Sequence, residues 1–205
     1  MYDMTVYLIR HGETDYNKQK QLQGRSDIPL NAYGRELAEI TGRALKDVTF
    51  DFVYSSPLNR AMETAKLLLG DKEVPVFSEE RIIEISFGEH EGKSYHPDHF
   101  TITDKDFMYF FQAPEKYKVP GYGESFEGVI ERTGDFWNEL VQNPKHQNRT
   151  ILVSTHGCAL KAILANIRNT PVSEFWGEGV HKNCAVTVVR IQNNHYEIEE
   201  GKIYY

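Results

Sequence analysis

Thr5-Val6-Tyr7-Leu8-Ile9-Arg10-His11-Gly12 is the stretch on which the fold turns. Apolar and β-branched residues run without a break and then stop at an arginine, a histidine and a glycine. A strand covered on one face alternates apolar with polar, so an unbroken run is the pattern of a strand buried on both faces. The layout returns downstream, where Thr150-Ile151-Leu152-Val153-Ser154-Thr155 leads into His156-Gly157. In open α/β sheets, ligands bind beyond the carboxyl ends of the strands. Both histidines are therefore expected in one crevice, each followed by a glycine that lets a ligand approach the backbone.

Between and around these strands the periodicity is helical. Leu37, Ile40, Thr41, Ala44, Leu45 and Val48 predict a helix beginning near Asn31. Phe52-Val53-Tyr54 reads as another strand. Ser56 as N-cap and Pro57 at the first helical position then open a helix running to about Leu69, with Arg60 in its first turn. The unpaired N–H groups of such a helix start favour a phosphate. Val74 to Phe77 is a short strand. Phe126, Val129, Ile130, Phe136, Trp137 and Leu140 mark one face of a helix, and Leu160, Ile163, Leu164 and Ile167 mark the next. Ala185 to Ile191 and Tyr196 to Ile198 predict a closing hairpin around Asn193-Asn194. Strands alternating with helices indicate an α/β class, a three-layer α/β/α sandwich with a mostly parallel central sheet. No repeat, low-complexity tract or linker divides residues 1–205, so a single domain is expected.

Composition narrows the functional classes. With 40% hydrophobic and 26% charged residues the chain falls among soluble globular proteins. No apolar stretch approaches the ~20 residues of a membrane span. Met1-Tyr2-Asp3-Met4 does not read as a secretory signal. Cys158 and Cys184 match neither a disulfide framework nor a metal-ligand spacing, so free thiols and a cytoplasmic setting are expected. A net charge of −7 argues against nucleic acid and anionic membranes as partners. A small phosphorylated ligand held by a few local arginines is compatible with it.

At this point the residues resemble a known family. Arg10-His11-Gly12-Glu13-Thr14, with Asn17 and Gly24, is similar to the signature of the histidine phosphatase superfamily, which includes the cofactor-dependent phosphoglycerate mutases. Ser55-Ser56-Pro57-Leu58-Asn59-Arg60-Ala61 resembles its second phosphate-binding segment, and Ser154-Thr155-His156-Gly157 its second histidine segment. The resemblance covers nearly the whole chain and implies a phosphoglycerate mutase-like fold. It implies that His11 is a nucleophile transiently phosphorylated, with Arg10 and Arg60 holding the phosphoryl oxygens and His156 donating to them. Asn17, Gln23, Gly24 and Gly157 complete the implied substrate-binding set, with no metal and no cofactor.

The residue types suit that chemistry. Imidazole, with a reference pKa of ~6.5, stays partly neutral near pH 7 and can attack phosphorus. Guanidinium forks match equatorial phosphoryl oxygens better than ammonium points do. An acid must protonate the leaving oxygen. Within Arg81-Ile82-Ile83-Glu84-Ile85-Ser86-Phe87-Gly88-Glu89-His90-Glu91-Gly92, Glu84 resembles the family's acid, with Glu89 and Glu91 as alternatives. The spacing around Glu84 resembles the phosphatase branch. The mutase branch carries an Asn-Glu-Arg pattern and a longer insertion. Glu13 is expected to order the first loop, and Arg25, Arg35 and Arg43 to be surface charges. His90, His96 and His99 fit no helical metal-ligand pair and read as a polar loop. Residues of about 95–123, rich in aromatics, are expected to pack over the core as a lid near the pocket. Two rival readings stand beside the phosphatase: a phosphoglycerate mutase, and a non-catalytic phospho-ligand binding module that kept the fold.

Overall fold

A computed structural model describes residues 3–193 and 195–205; Met1, Tyr2 and Asn194, the last in the expected hairpin turn, lie outside the described residues. In chain order the elements are β1 (Met4–Arg10), α1 (Asp15–Lys18), α2 (Ala32–Ala44), β2 (Phe52–Ser55), α3 (Asn59–Leu69), β3 (Val76–Ser78), α4 (Tyr109–Gln112), α5 (Phe126–Gln142), β4 (Arg149–Thr155), α6 (Gly157–Arg168), β5 (Val186–Gln192) and β6 (His195–Lys202). They build a six-stranded sheet in the order β3-β2-β4-β1-β5-β6. β1 pairs with β4, β4 with β2 and β2 with β3 in parallel. β5 lies antiparallel to β1, and β6 antiparallel to β5. The sheet is mostly parallel, as the sequence indicates.

The unbroken apolar runs have the expected cause. Side chains alternate across a strand. Val6 and Leu8 of β1, with Ile151 and Val153 of β4, pack against Phe136, Trp137, Leu160 and Ile163 of α5 and α6. Tyr7, Ile9 and Leu152 belong to a cluster on the opposite face with Leu37, Ala38, Ala65 and Leu68 of α2 and α3. Helices thus cover both faces, and the result is a three-layer α/β/α sandwich. β6 runs longer than the sequence suggests, because as an exposed edge strand it can carry Glu197, Glu199, Glu200 and Lys202. Charges there discourage pairing with another chain.

The helix starts differ in what caps them. Asn31 caps α2, its side chain accepting the Gly34 N–H. α3 starts at Asn59, later than Ser56-Pro57 indicates. The Asn59 N–H donates to Asp27 Oδ1 at 2.8 Å and its side-chain amide to Asp27 Oδ2 at 2.7 Å. A carboxylate from the loop between α1 and α2 caps the helix, so the expected phosphate-binding N-terminus is already taken.

A third cluster lies over the carboxyl end of the sheet. Phe107 and Phe110 from the 95–123 segment are buried there with Phe87, Phe126, Phe175 and Trp176. Among the described residues, no helix is long and apolar enough to cross a membrane.

Candidate active site

The parallel pairing of β1 and β4 sets Arg10 opposite Thr155, so His11 and His156 leave the sheet side by side. The His11 N–H donates to the Thr155 carbonyl at 2.9 Å, and the two ring centroids stand 5.1 Å apart. His11 Nδ1 lies 2.7 Å from the Gly12 carbonyl oxygen. A carbonyl can only accept, so Nδ1 carries the proton and Nε2 presents its lone pair. Burial, reinforced by the charges of Arg60 and Arg10, holds the His11 imidazole well below its usual 6.5. It is neutral near pH 7.

The two glycines serve different ends. A Cβ on Gly12 would stand 2.5 Å from the Gly34 carbonyl oxygen, so this glycine lets the loop after β1 pack on the first turn of α2. This packing requires a glycine here independently of the ligand approach expected from sequence. A Cβ on Gly157 would stand 2.8 Å from Val180 Cγ1 and 3.6 Å from Arg10 Nε, so this one keeps the pocket open.

Arg10 donates from Nη1 to the His181 carbonyl, while its buried Nε has no hydrogen-bond partner in the protein. Burial pulls its pKa down, against the opposing pull of Glu84. Arg60 is wholly buried and more committed: Nη1 donates to Ser26 O at 2.7 Å, Nη2 to Gly24 O at 2.6 Å and Nε to His156 Nδ1 at 3.2 Å. One N–H remains on each Nη. Burial brings Arg60 down to about 10, still charged near neutrality. Because Arg60 can only donate, His156 Nδ1 accepts, and Nε2–H must donate to Ser56 Oγ at 2.7 Å. Burial, with Arg60 next, holds His156 well below 6.5 as well. Both of its nitrogens are therefore engaged within the protein.

Glu84 is buried at the mouth of α6. Its Oε1 accepts the Ala159 N–H at 3.0 Å and the Ile85 N–H at 2.9 Å, and its Oε2 accepts the Cys158 N–H at 3.0 Å. Oε2, with one donor, is the oxygen with room for a proton. The alternatives are placed otherwise. Glu89 is exposed. Glu91 accepts the backbone N–H groups of Gly24, Arg25, Ser26 and Phe87, and so anchors the 24–26 loop.

The cavity, about 140 Å³, has Arg10, His11, Glu84, Asn17, Gln23 and Gly157 among its walls. Gly24, Arg60 and His156 stand behind those walls: the Gly24 N–H is held by Glu91 and its carbonyl by Arg60. Asn17 closes a capping box with Thr14, and Gln23 accepts the Thr14 hydroxyl at 2.6 Å. Glu13 accepts the Asn31 side-chain amide at 2.9 Å and orders the first loop. Arg25, Arg35 and Arg43 form surface ion pairs with Glu124, Glu63 and Glu39. His90 departs from the polar-loop reading, for its ring is buried against Phe107. Among the described residues, no group of three or more His, Cys, Asp or Glu side chains is placed to hold a metal ion.

Several site residues carry no local signal. Leu22, Phe87, Tyr95, Phe110, Phe111, Trp176 and Val180 form an apolar wall around the cavity. The 95–123 aromatics thus serve core and pocket together. Asn183 donates to the His11 carbonyl at 3.0 Å and to Asn17 Oδ1 at 3.2 Å. The available hint was the pair Gly177 and Gly179 just ahead of a histidine and a strand. Cys158, also a wall residue, and Cys184 are buried free thiols. Burial raises the first well above 9.0 and the second to about 12.

Comparison with known proteins identifies the family. Residues 6–203 match the model of the histidine phosphatase superfamily (branch 1). The chain is 32% identical to phosphatase PhoE of Bacillus subtilis, over 79% of this chain and 76% of the relative. It is 32% identical to the adenosylcobalamin/alpha-ribazole phosphatase of Escherichia coli, over 88% and 87%. The solved structure of Bacillus stearothermophilus YhfR superposes with a TM-score of 0.86 at 34% identity, covering 96% of this chain and 95% of that one. Two strand-end histidines, the arginines Arg10 and Arg60 beside them and a family match over nearly the whole length lead to one conclusion: the chain belongs to the histidine phosphatase superfamily.

Proposed function

We propose that the protein is a phosphomonoester phosphatase that works through a phosphohistidine on His11 and needs no metal ion. The observation that carries this reading is the pairing of a neutral imidazole, its Nε2 lone pair available, with a buried Arg10 Nε that has no protein partner. His11 Nε2 would attack phosphorus in line, and the ester P–O bond would break. The departing alkoxide would take its proton from Glu84 Oε2. Arg10, with Asn17, Gln23 and the Gly157 N–H, would hold the equatorial oxygens, and Arg60 would add charge from behind. His156 would join them by exchanging Ser56 Oγ for a phosphoryl oxygen. In the second half-reaction the Glu84 carboxylate would take a proton from water. That water would displace His11 and release inorganic phosphate.

Phosphatase is favoured over mutase by the charge of the cavity. Among the described residues, Arg10 is the one Lys or Arg side chain in its walls. A phosphoglycerate must place a carboxylate beside its phosphate, and burying that second charge without a partner is costly. The apolar wall instead suits an uncharged, preferably aromatic, alcohol. A binding module has no need of a free Nε2 or of Glu84.

The test is turnover of p-nitrophenyl phosphate in excess chelator, with alkali-quenched enzyme assayed for acid-labile phosphate. Phosphate release with a labelled enzyme supports the reading. Turnover lost in chelator and restored by Mg²⁺ or Zn²⁺ refutes it.

A further inference from the structure

Residues 180–183 form a strap across the site. Val180 leans over Gly157, the His181 carbonyl accepts Arg10 Nη1, and Asn183 holds the backbone of His11 together with Asn17. The strap is entered through Gly177 and Gly179, both at positive φ, and a Cβ at either would meet nothing within 4 Å. Packing at those two positions therefore does little to fix where the strap lies. Asn183 and Tyr205, through its hydroxyl on the Asn183 carbonyl, anchor the far end of the strap. At residue 181 itself the anchor is the His181 side chain, which is buried, sits against Gly201 of β6 and donates from Nε2 to Glu200 Oε1 at 3.0 Å.

Glu200 is itself clamped. Lys161 Nζ, on a buried side chain of α6, stands 3.0 Å from Oε1, and Arg168 Nη2, from the end of the same helix, stands 2.6 Å from Oε2. The helix that begins at Gly157 thus reaches back through Lys161 and Arg168, by way of Glu200 and His181, to the guanidinium of Arg10. Neither Glu200 nor His181 lines the catalytic cavity.

We propose that Glu200 is a positioning residue for phosphate binding: by holding His181 it fixes the carbonyl that orients the Arg10 fork. The role rests on the phosphatase reading above. A guanidinium with one fixed N–H can present Nε in one direction, whereas a released strap lets the fork rotate and costs affinity for the oxyanion.

The experiment uses orthovanadate, titrated calorimetrically into wild type, Glu200→Gln, His181→Ala and the double variant, with p-nitrophenyl phosphate kinetics alongside. Each single variant is expected to raise the vanadate Kd and the KM roughly tenfold, about the effect of one ordinary hydrogen bond, while kcat changes little. The double variant is expected to be no weaker than His181→Ala alone, because both act along one path. If Lys161, left facing a neutral partner, unfolds Glu200→Gln, adding Lys161→Met restores the balance and the same loss of vanadate affinity is expected. A Glu200→Gln protein that binds vanadate as wild type does, or a double variant whose losses add, overturns the role. Wild type that binds no vanadate overturns the phosphatase reading, and this role with it.

Discussion

Replacing Glu84 by Gln probes the weakest link in the proposed chemistry, and the structure sets what it should cost. The carboxylate accepts three backbone N–H groups, two at Oε1 and one at Oε2. An amide can keep its oxygen on the doubly bonded side, but its NH₂ then faces the Cys158 N–H, donor against donor. Losing one hydrogen bond to a charged group costs about 1.5–3 kcal/mol. At roughly 2–4 °C per kcal/mol for a chain of this size, Tm should fall by roughly 3–12 °C. That loss says nothing about proton transfer. General acid catalysis is worth about 10²–10⁴-fold, or about 2.7–5.4 kcal/mol, and it depends on the leaving group. Rapid-quench measurement of enzyme phosphorylation in a single turnover, below the melting range, separates the two. An alkyl phosphate should lose the full factor. p-Nitrophenyl phosphate, whose phenolate departs readily, should lose much less. Steady-state rates blur the comparison, because in the proposed mechanism the same carboxylate would also activate water in the second step. Equal losses for both esters in the single-turnover measurement would refute Glu84 as the acid. Glu91, occupied by four backbone N–H groups, could not inherit the role without dismantling the 24–26 loop.

Further outcomes follow from the same geometry. His11→Ala should abolish turnover and phosphoenzyme formation with the circular dichroism spectrum unchanged; label persisting on the variant would move the nucleophile elsewhere. Burial lowers the pKa of His11 and His156 from 6.5, so the unfolded chain binds more protons below that pH. Their contribution to stability is therefore whole above pH 6.5 and should be lost as pH falls toward the folded values. Denaturant titrations from pH 7.5 to 5 should show this, with a shallower slope in His156→Gln; an equal slope would contradict the assigned protonation states. Trp176→Ala, which opens the apolar wall, should raise KM for an aryl phosphate about tenfold more than for methyl phosphate; equal effects would remove the wall from substrate selection.

The sequence disclosed those parts of the site that are written locally. His11 and His156 were legible because a doubly buried strand must be apolar at every position, and such runs end visibly. Asn31 was legible because a capping side chain bonds its own helix. α3 was misplaced by the same reasoning, since its cap is Asp27, a residue far off in the chain with no periodic signature. Ser56, the cap that the spacing predicts, instead accepts from His156. Glu91 reads as one more charge in a polar loop until its backbone donors are seen. Trp176, His181 and Asn183 reach the site because the β5–β6 hairpin lies next to β1, a consequence of topology that no short window contains.

Arg10 and Arg60 hold two positive charges in a desolvated space beside two neutral imidazoles, and after burial both arginines hold the pKa of His11 and of His156 down. Folding therefore assembles a like-charged pair whose mutual repulsion an oxyanion relieves. By linkage, any phosphate that binds the folded form and not the unfolded chain stabilises the fold, by about 2.7 kcal/mol at a hundred times its Kd. On the proposed mechanism, the product of the reaction would act as a conformational buffer. The protein's lifetime against heat and proteases should then rise and fall with ambient inorganic phosphate, and a melting temperature recorded in phosphate buffer would describe the proposed product complex.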